Sequence, residues 1–135
     1  MRQERPELEE LIAVARGEVP ADTLLRGGEV FDVAVDIRCG SPTYGQWEGY
    51  DLSAENGHQF YVPVGFAHGF VTLEPDSEIV YKCTDYYAPE TEGAVRWDSC
   101  GIEWPLSDGP ILSDKDVIAP ALADFNSPFI YGENA

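Results

Sequence analysis

Positive charge is scarce in this sequence. Only two of its 135 residues are lysine, Lys82 and Lys115, and six are arginine, against 25 aspartates and glutamates, for a formal net charge of −17. Such a surface repels nucleic-acid phosphates and anionic lipid headgroups, so neither is an expected partner. An anionic small molecule is repelled at long range as well, and a site for one needs its own local cations. Cysteine is scarce: Cys39, Cys83 and Cys100 are odd in number and have neither metal nor redox spacing. They read as reduced thiols in a cytoplasmic protein rather than a disulfide scaffold. Histidine is scarcer still, with His58 and His68 alone, too few for a converging multi-histidine metal centre, so no metal is expected. The start of the chain is charged and no apolar run is long enough to span a bilayer, so neither a signal peptide nor a membrane segment is expected. There is no internal repeat and no low-complexity tract.

What is there describes a folded domain. Hydrophobic residues make up 44% and aromatics 12%, enough for one domain with a core at this length. Arg5 to Ala15 reads as a short helix, with Leu8, Leu11, Ile12 and Ala15 on one stripe, Pro6 in the first turn and Gly17 as a stop. Residues 18–22 read as a linker or turn. From Glu29 the period changes to two. Phe31, Val33 and Val35 share one face of a strand ending at Asp36, and Val30, Asp32, Ala34 and Asp36 share the other. Four more short runs follow: Trp47–Leu52, Gln59–Val62, Phe66–Leu73 and Glu78–Thr84. Turn-rich segments separate them, and the spacing argues for an all-β sandwich or barrel. After Pro89 the chain is rich in loops, with a short helix expected within Asp114–Ala123 and Ser113 as its N-cap.

The stretch Gln59–Tyr87 carries the candidate chemistry. Two β-runs flank the turn Glu74–Ser77, so the reading makes them neighbouring strands. Alternation puts His68 on a face with Phe66 and Phe70, and Tyr81 on a face with Ile79 and Cys83. An imidazole and a phenol are then offered to one enclosed space. By pattern alone, a lone histidine in an apolar row is a core residue bonded to the backbone, and Tyr81 is evenly divided between core and catalysis. Asp32 and Asp36 are ordinary surface charges if their face meets solvent. If it lines the interior, each needs a partner and becomes a site candidate.

The segments QFYVPVGFAHGF (59–70) and VYKCTDYYAPETEG (80–93), with GEVFDVAVDIR, SPTYGQW, LSAEN, RWD, GIEWPL, ILSDKD and ADFNSPF in the same register, resemble the dTDP-4-dehydrorhamnose 3,5-epimerases. The resemblance covers about residues 28 to 131. It implies a cupin-like jelly roll, a homodimer, no cofactor, and proton exchange at the two carbons flanking the C4 ketone of a dTDP-linked 4-keto-6-deoxy sugar. It places the catalytic acid on Tyr81, an active-site histidine on His68 and an active-site aspartate on Asp32. Asp116 falls on the aspartate that pairs with the family's catalytic histidine. Arg38, Glu92 and Lys115 fall on contacts to the nucleotide or its phosphates, Tyr87 on a stacking residue, and Gln59 with Tyr61 on the cavity wall.

Residues 1–27 read as a divergent helical segment preceding an epimerase-like domain at 28–135. In the family a motif like LRGLHYQ supplies the general-base histidine and one like GKLVRV a lysine that stabilises the enolate. Residues 1–27 hold no histidine and no lysine. A catalytically impaired or truncated family member, either sugar-nucleotide-binding or a non-functional remnant, therefore stands as the alternative expectation.

Overall fold

The computed structural model describes residues 21–83 and 88–132. The helix expected over Arg5–Ala15 lies outside the described residues, as do Thr84 and Tyr87. The strands are β1 (Ala21–Gly27), β2 (Glu29–Asp36), β3 (Trp47–Ser53), β4 (Gln59–Val62), β5 (Phe66–Thr72) and β6 (Glu78–Cys83). Strands β2 to β6 match the sequence expectation to within one residue at each end. β1 was not expected: Ala21 and Asp22, read as linker, open a strand that lies at the centre of its sheet, paired with β4 on one side and β6 on the other. Its register is set by distant partners rather than by any alternation of its own.

Two three-stranded antiparallel sheets result, ordered β4-β1-β6 and β3-β2-β5. β5 and β6, consecutive in the chain and expected as neighbours, do not pair. β5 hydrogen-bonds to β2, and β6 to β1. The turn between them is therefore a corner that carries the chain from one sheet to the other. The β1–β2 connection crosses at the same place. Gly28, at φ +84, has no room for a Cβ because Ser77 Oγ occupies that position. The Glu29 amide donates to the same oxygen at 3.2 Å. Only glycine combines that backbone angle with that approach.

Register shows how the sheets face one another. In the β3-β2-β5 sheet, Asp32 is the Cα partner of Tyr50 and Phe70, and Ala34 is the partner of His68, so these residues share a face. In the other sheet Thr23 is the Cα partner of both Phe60 and Tyr81, which puts those two on one face. The Tyr50 and Phe60 rings meet edge to face at 5.4 Å. The His68 face and the Tyr81 face are thus turned toward each other, with Leu52, Phe60 and Val62 buried on the inner sides.

The C-terminal part covers the opposite face of the β3-β2-β5 sheet. The Phe31 and Trp104 rings meet at 6.1 Å, and Trp104 donates its indole N–H to Trp97 O. The chain is tied down where Cys39 N donates to Phe129 O and Tyr131 N to Cys39 O, both at 2.9 Å. With cover on both sides, β2 is buried at every position from Asp32 to Asp36. The short helix α1 (Asp114–Val117) starts where expected, with Ser113 Oγ accepting from Asp116 N at 3.2 Å. It ends well short of Ala123, because Pro120 has no N–H to continue it.

Candidate active site

Two acidic side chains on the inner face of β2, Asp32 and Asp36, are buried. Asp32 is fully buried, and its Oδ1 lies 2.7 Å from His68 Nε2, itself 4% exposed. The contact is diagonal: His68 faces Ala34 across the strands and leans toward the residue two places along. Burial lowers the His68 pKa well below its usual value, so the ring is neutral. A neutral imidazole facing a carboxylate carries its proton on Nε2, which donates to Asp32. The plain pattern suggested a backbone partner for His68; the structure gives it a side-chain one, Asp32. The Phe70 ring lies 6.1 Å from the imidazole.

Asp36 is equally buried and differently served. Arg38 approaches it in a fork, Nε to Oδ1 at 2.9 Å and Nη2 to Oδ2 at 2.8 Å, and adds its backbone N–H to Oδ1 at 3.0 Å. Ser41 Oγ and Thr43 Oγ1 donate to Oδ2 at 2.6 and 2.5 Å. Burial opposes ionisation of Asp36, but the Arg38 and hydroxyl bonds outweigh it and hold the pKa near 2, down from 3.8. The guanidinium is also sandwiched between the Phe66 ring at 4.8 Å and the Tyr131 ring at 4.9 Å. Its stem lies flat over Gly65, where a Cβ would come within 2.5 Å of Arg38 Cγ. Arg38, which the resemblance aligned with a phosphate contact, is committed to Asp36 in this structure. Sequence reading missed this cluster, although its members Asp36, Arg38, Ser41 and Thr43 fall within eight residues.

The remaining candidates are placed as follows. Tyr81 stands on the inner face of its sheet and is 52% exposed. Its register puts it across from the His68 face rather than beside it. Gln59 and Tyr61 alternate with the buried Phe60 and Val62, so they lie on the outer face of their sheet. They do not line the wall expected for them. Lys115 Nζ is 3.5 Å from Glu92 Oε1 in an exposed pair. Asp116 sits in the first turn of α1 and is partly exposed, while the carboxylate that meets His68 is Asp32. Among the described residues no three His, Cys, Asp or Glu side chains gather as a metal-ligand set, and no described helix is long and apolar enough to cross a membrane.

The inner-face histidine–aspartate pair, and the tyrosine facing it, stand on the motifs that carried the family resemblance. The profile of the family described as dTDP-4-dehydrorhamnose 3,5-epimerase matches residues 21–124. The chain belongs to this family. Curated members with that name are 57% identical over 111 residues in Salmonella typhimurium and 53% over 115 residues in Pseudomonas aeruginosa. These alignments cover 79% and 84% of this chain but 61% and 62% of the relatives, so the chain spans about three fifths of their length. A solved Legionella pneumophila 3,5-epimerase, in complex with dTDP-4-keto-L-rhamnose, superposes with a TM-score of 0.82 at 43% identity, over 89% of this chain and 67% of that one. The Bacillus anthracis enzyme with TDP and PPi bound gives 0.78 at 41% identity, over 84% and 66%. The two facing sheets are accordingly the family's cupin-like jelly roll, as the resemblance implied.

Proposed function

We propose that this epimerase-family chain binds a dTDP-linked 4-keto-6-deoxy sugar between its two sheets and exchanges protons at C3 and C5. The observation that carries this reading is the buried Asp32–His68 pair on one inner face, with Tyr81 on the inner face opposite. A carbon next to a ketone loses its proton to a base to give an enolate, and inversion requires the new proton on the other side of the ring. A base and an acid on facing sheets meet that requirement; side by side on one sheet they would not. In this reading His68 is the group on its face that exchanges the proton, and Asp32 holds its ring. Tyr81 returns a proton from across the sugar, and half exposure allows its hydroxyl to be recharged from solvent. Each general acid–base step of this kind contributes about 10²–10⁴ in rate.

The diphosphate falls to Lys115. Its exposed pairing with Glu92 contributes little stability, on the order of 1 kcal/mol or less, so a phosphate oxygen can replace the carboxylate at low cost. Asp116 lies on the same turn. The relatives' complexes with dTDP-sugar and TDP support such a ligand. A homodimer in the cytoplasm is the setting this reading assumes.

A second reading, nucleotide-sugar binding without turnover, is favoured by one observation. Each described cationic side chain faces a carboxylate: Arg38 meets Asp36, Arg96 meets Asp98 and Lys115 meets Glu92. An enolate at C4 has no evident cation among them. Incubation with dTDP-4-keto-6-deoxyglucose in deuterated water, followed by NMR at C3 and C5, separates the two. Deuterium at both carbons is expected from the first reading. Binding with no deuterium at either carbon supports the second and overturns the first.

A further inference from the structure

Among the described residues Asp32 and Asp36 are the two buried acidic side chains, and each has a partner, His68 or Arg38. The other described aspartates and glutamates are exposed or half-exposed. Some stand in runs. Glu74, Asp76 and Glu78 are exposed within five residues at the corner between β5 and β6. None of the ion pairs among the described residues engages them. Cations do not offset this surface. Arg38, Arg96 and Lys115 take up Asp36, Asp98 and Glu92. Were all eight lysines and arginines of the sequence so paired, a net charge of −17 would still be left among the 25 acidic residues.

We propose that ionic strength controls the folding of this chain, and that the protein is built for a medium of molar monovalent salt rather than for dilute buffer. Folding brings like charges closer together than they lie in the extended chain, so a net charge far from zero opposes the compact state. Salt sets how far that repulsion reaches. The Debye length is about 30 Å at 0.01 M, comparable to the width of a domain of this size, so each carboxylate feels most of the others. At 1 M it is about 3 Å, and only direct contacts remain. Salt screens attraction as well, but little attraction is at stake. Exposed pairs such as Arg96–Asp98 and Lys115–Glu92 contribute little to stability. The Arg38–Asp36 pair is partly buried and is screened much less. Repulsion therefore decides the sign, and added salt stabilises the fold. This holds whatever ligand enters between the sheets.

The test follows thermal unfolding of the full chain by circular dichroism in KCl from about 0.02 to 2 M. The triple variant Glu74→Gln/Asp76→Asn/Glu78→Gln is measured beside it. Its substitutions are near-isosteric and lie at exposed positions, and asparagine tolerates the φ of 59° at Asp76. The wild-type midpoint is expected to rise by about 10 °C or more between the lowest salt and 1 M. A wild type that is unfolded in dilute buffer and folds as KCl is added supports the proposal equally. NaCl is expected to act as KCl does, because screening depends on ionic strength and not on the identity of the ion. The triple variant is expected to melt about 2–4 °C above the wild type at the lowest salt that folds both, and to coincide with it at 1 M. A wild-type midpoint that stays level or falls with KCl overturns the proposal. So does a variant no more stable than the wild type at low salt, a variant advantage that persists at 1 M, or stabilisation by only one of the two salts.

Discussion

Asp32 and Asp36 lie four residues apart on one strand, point to the same inner face and are both buried, yet they live in opposite chemical conditions. Asp36 accepts from a guanidinium fork, a backbone N–H and two hydroxyls. A carboxylate so supplied stays ionised far into acid, and its cation is fixed in place by two aromatic plates. Asp32 is met by a neutral imidazole that burial keeps from charging. The first arrangement favours one protonation state so strongly that it can only be structural. The second sets a neutral, titratable ring against a buried carboxyl, the kind of pair that a proton-moving site uses. Burial alone does not distinguish a structural charge from a working one; the number and kind of donors around it do.

The largest break in this comparison comes from Asp32→Asn. The amide keeps the shape but not the charge that holds the imidazole tautomer. Deuterium exchange at C3 and C5 is expected to fall by about 10²–10⁴, while the unfolding free energy changes by about 1 kcal/mol. An unchanged exchange rate in a folded Asp32→Asn protein removes Asp32 from the site.

Arg38→Met attacks the other carboxylate and should show the reverse profile. It leaves Asp36 buried without its cation, at a cost of about 3 kcal/mol in unfolding free energy, read from the urea midpoint at constant slope. The double variant Asp36→Leu/Arg38→Met is expected to recover most of that loss, since an apolar replacement of both partners removes the uncompensated charge. If Arg38→Met costs less than about 1 kcal/mol, the fork is not the structural lock that its geometry describes.

How far the sequence foretold these sites depends on distance along the chain. Strands β2 to β6 were legible because each writes its own alternation. So was the N-cap at Ser113, a contact across three residues. The sheet partition was not: the run from Phe66 to Thr84 looks like a hairpin locally, and only the pairing of β6 with β1, more than fifty residues upstream, shows the turn to be a corner. β1 itself gave no signal, since its centre is made by partners on both sides. The same limit explains Gln59 and Tyr61. Alternation separated them correctly from Phe60 and Val62, but which side of β4 faced inward was decided by Tyr50 of the other sheet. Asp32 and His68 came from motif resemblance, and only the cross-strand register showed that they touch.

Acid titration sharpens the contrast between the carboxylates with a smaller effect. A group whose folded pKa lies below its unfolded value contributes stability that is complete above the unfolded pKa and is lost as the pH falls toward the folded one. Both clusters have this sign. For His68 the loss begins below pH 6.5, as the unfolded chain takes up a proton that the buried ring refuses. For Asp36 it begins near pH 3.8 and ends near 2, and amounts to about 2 kcal/mol. Stability is therefore expected to fall in two steps, and His68→Gln should abolish the upper step while leaving the lower. A single step that survives His68→Gln unchanged would mean that the imidazole titrates normally in the folded chain.

The smallest expected effect tests the orientation on which the site depends. Gln59 and Tyr61 are exposed on the outer side of β4, while Tyr81 stands on the inner side of the same sheet. Exposed substitutions away from packed contacts change stability by about 0.5 kcal/mol or less. Gln59→Ala and Tyr61→Ser should therefore leave both the urea midpoint and TDP affinity near the wild-type values. Tyr81→Phe should do the same for the midpoint yet lower deuterium incorporation by about 10²–10⁴. The three substitutions lie on one small sheet and differ mainly in the side they face. If Gln59→Ala or Tyr61→Ser abolished exchange while Tyr81→Phe did not, the working side of this sheet would be the outer one, and the facing of imidazole and phenol would carry no chemistry.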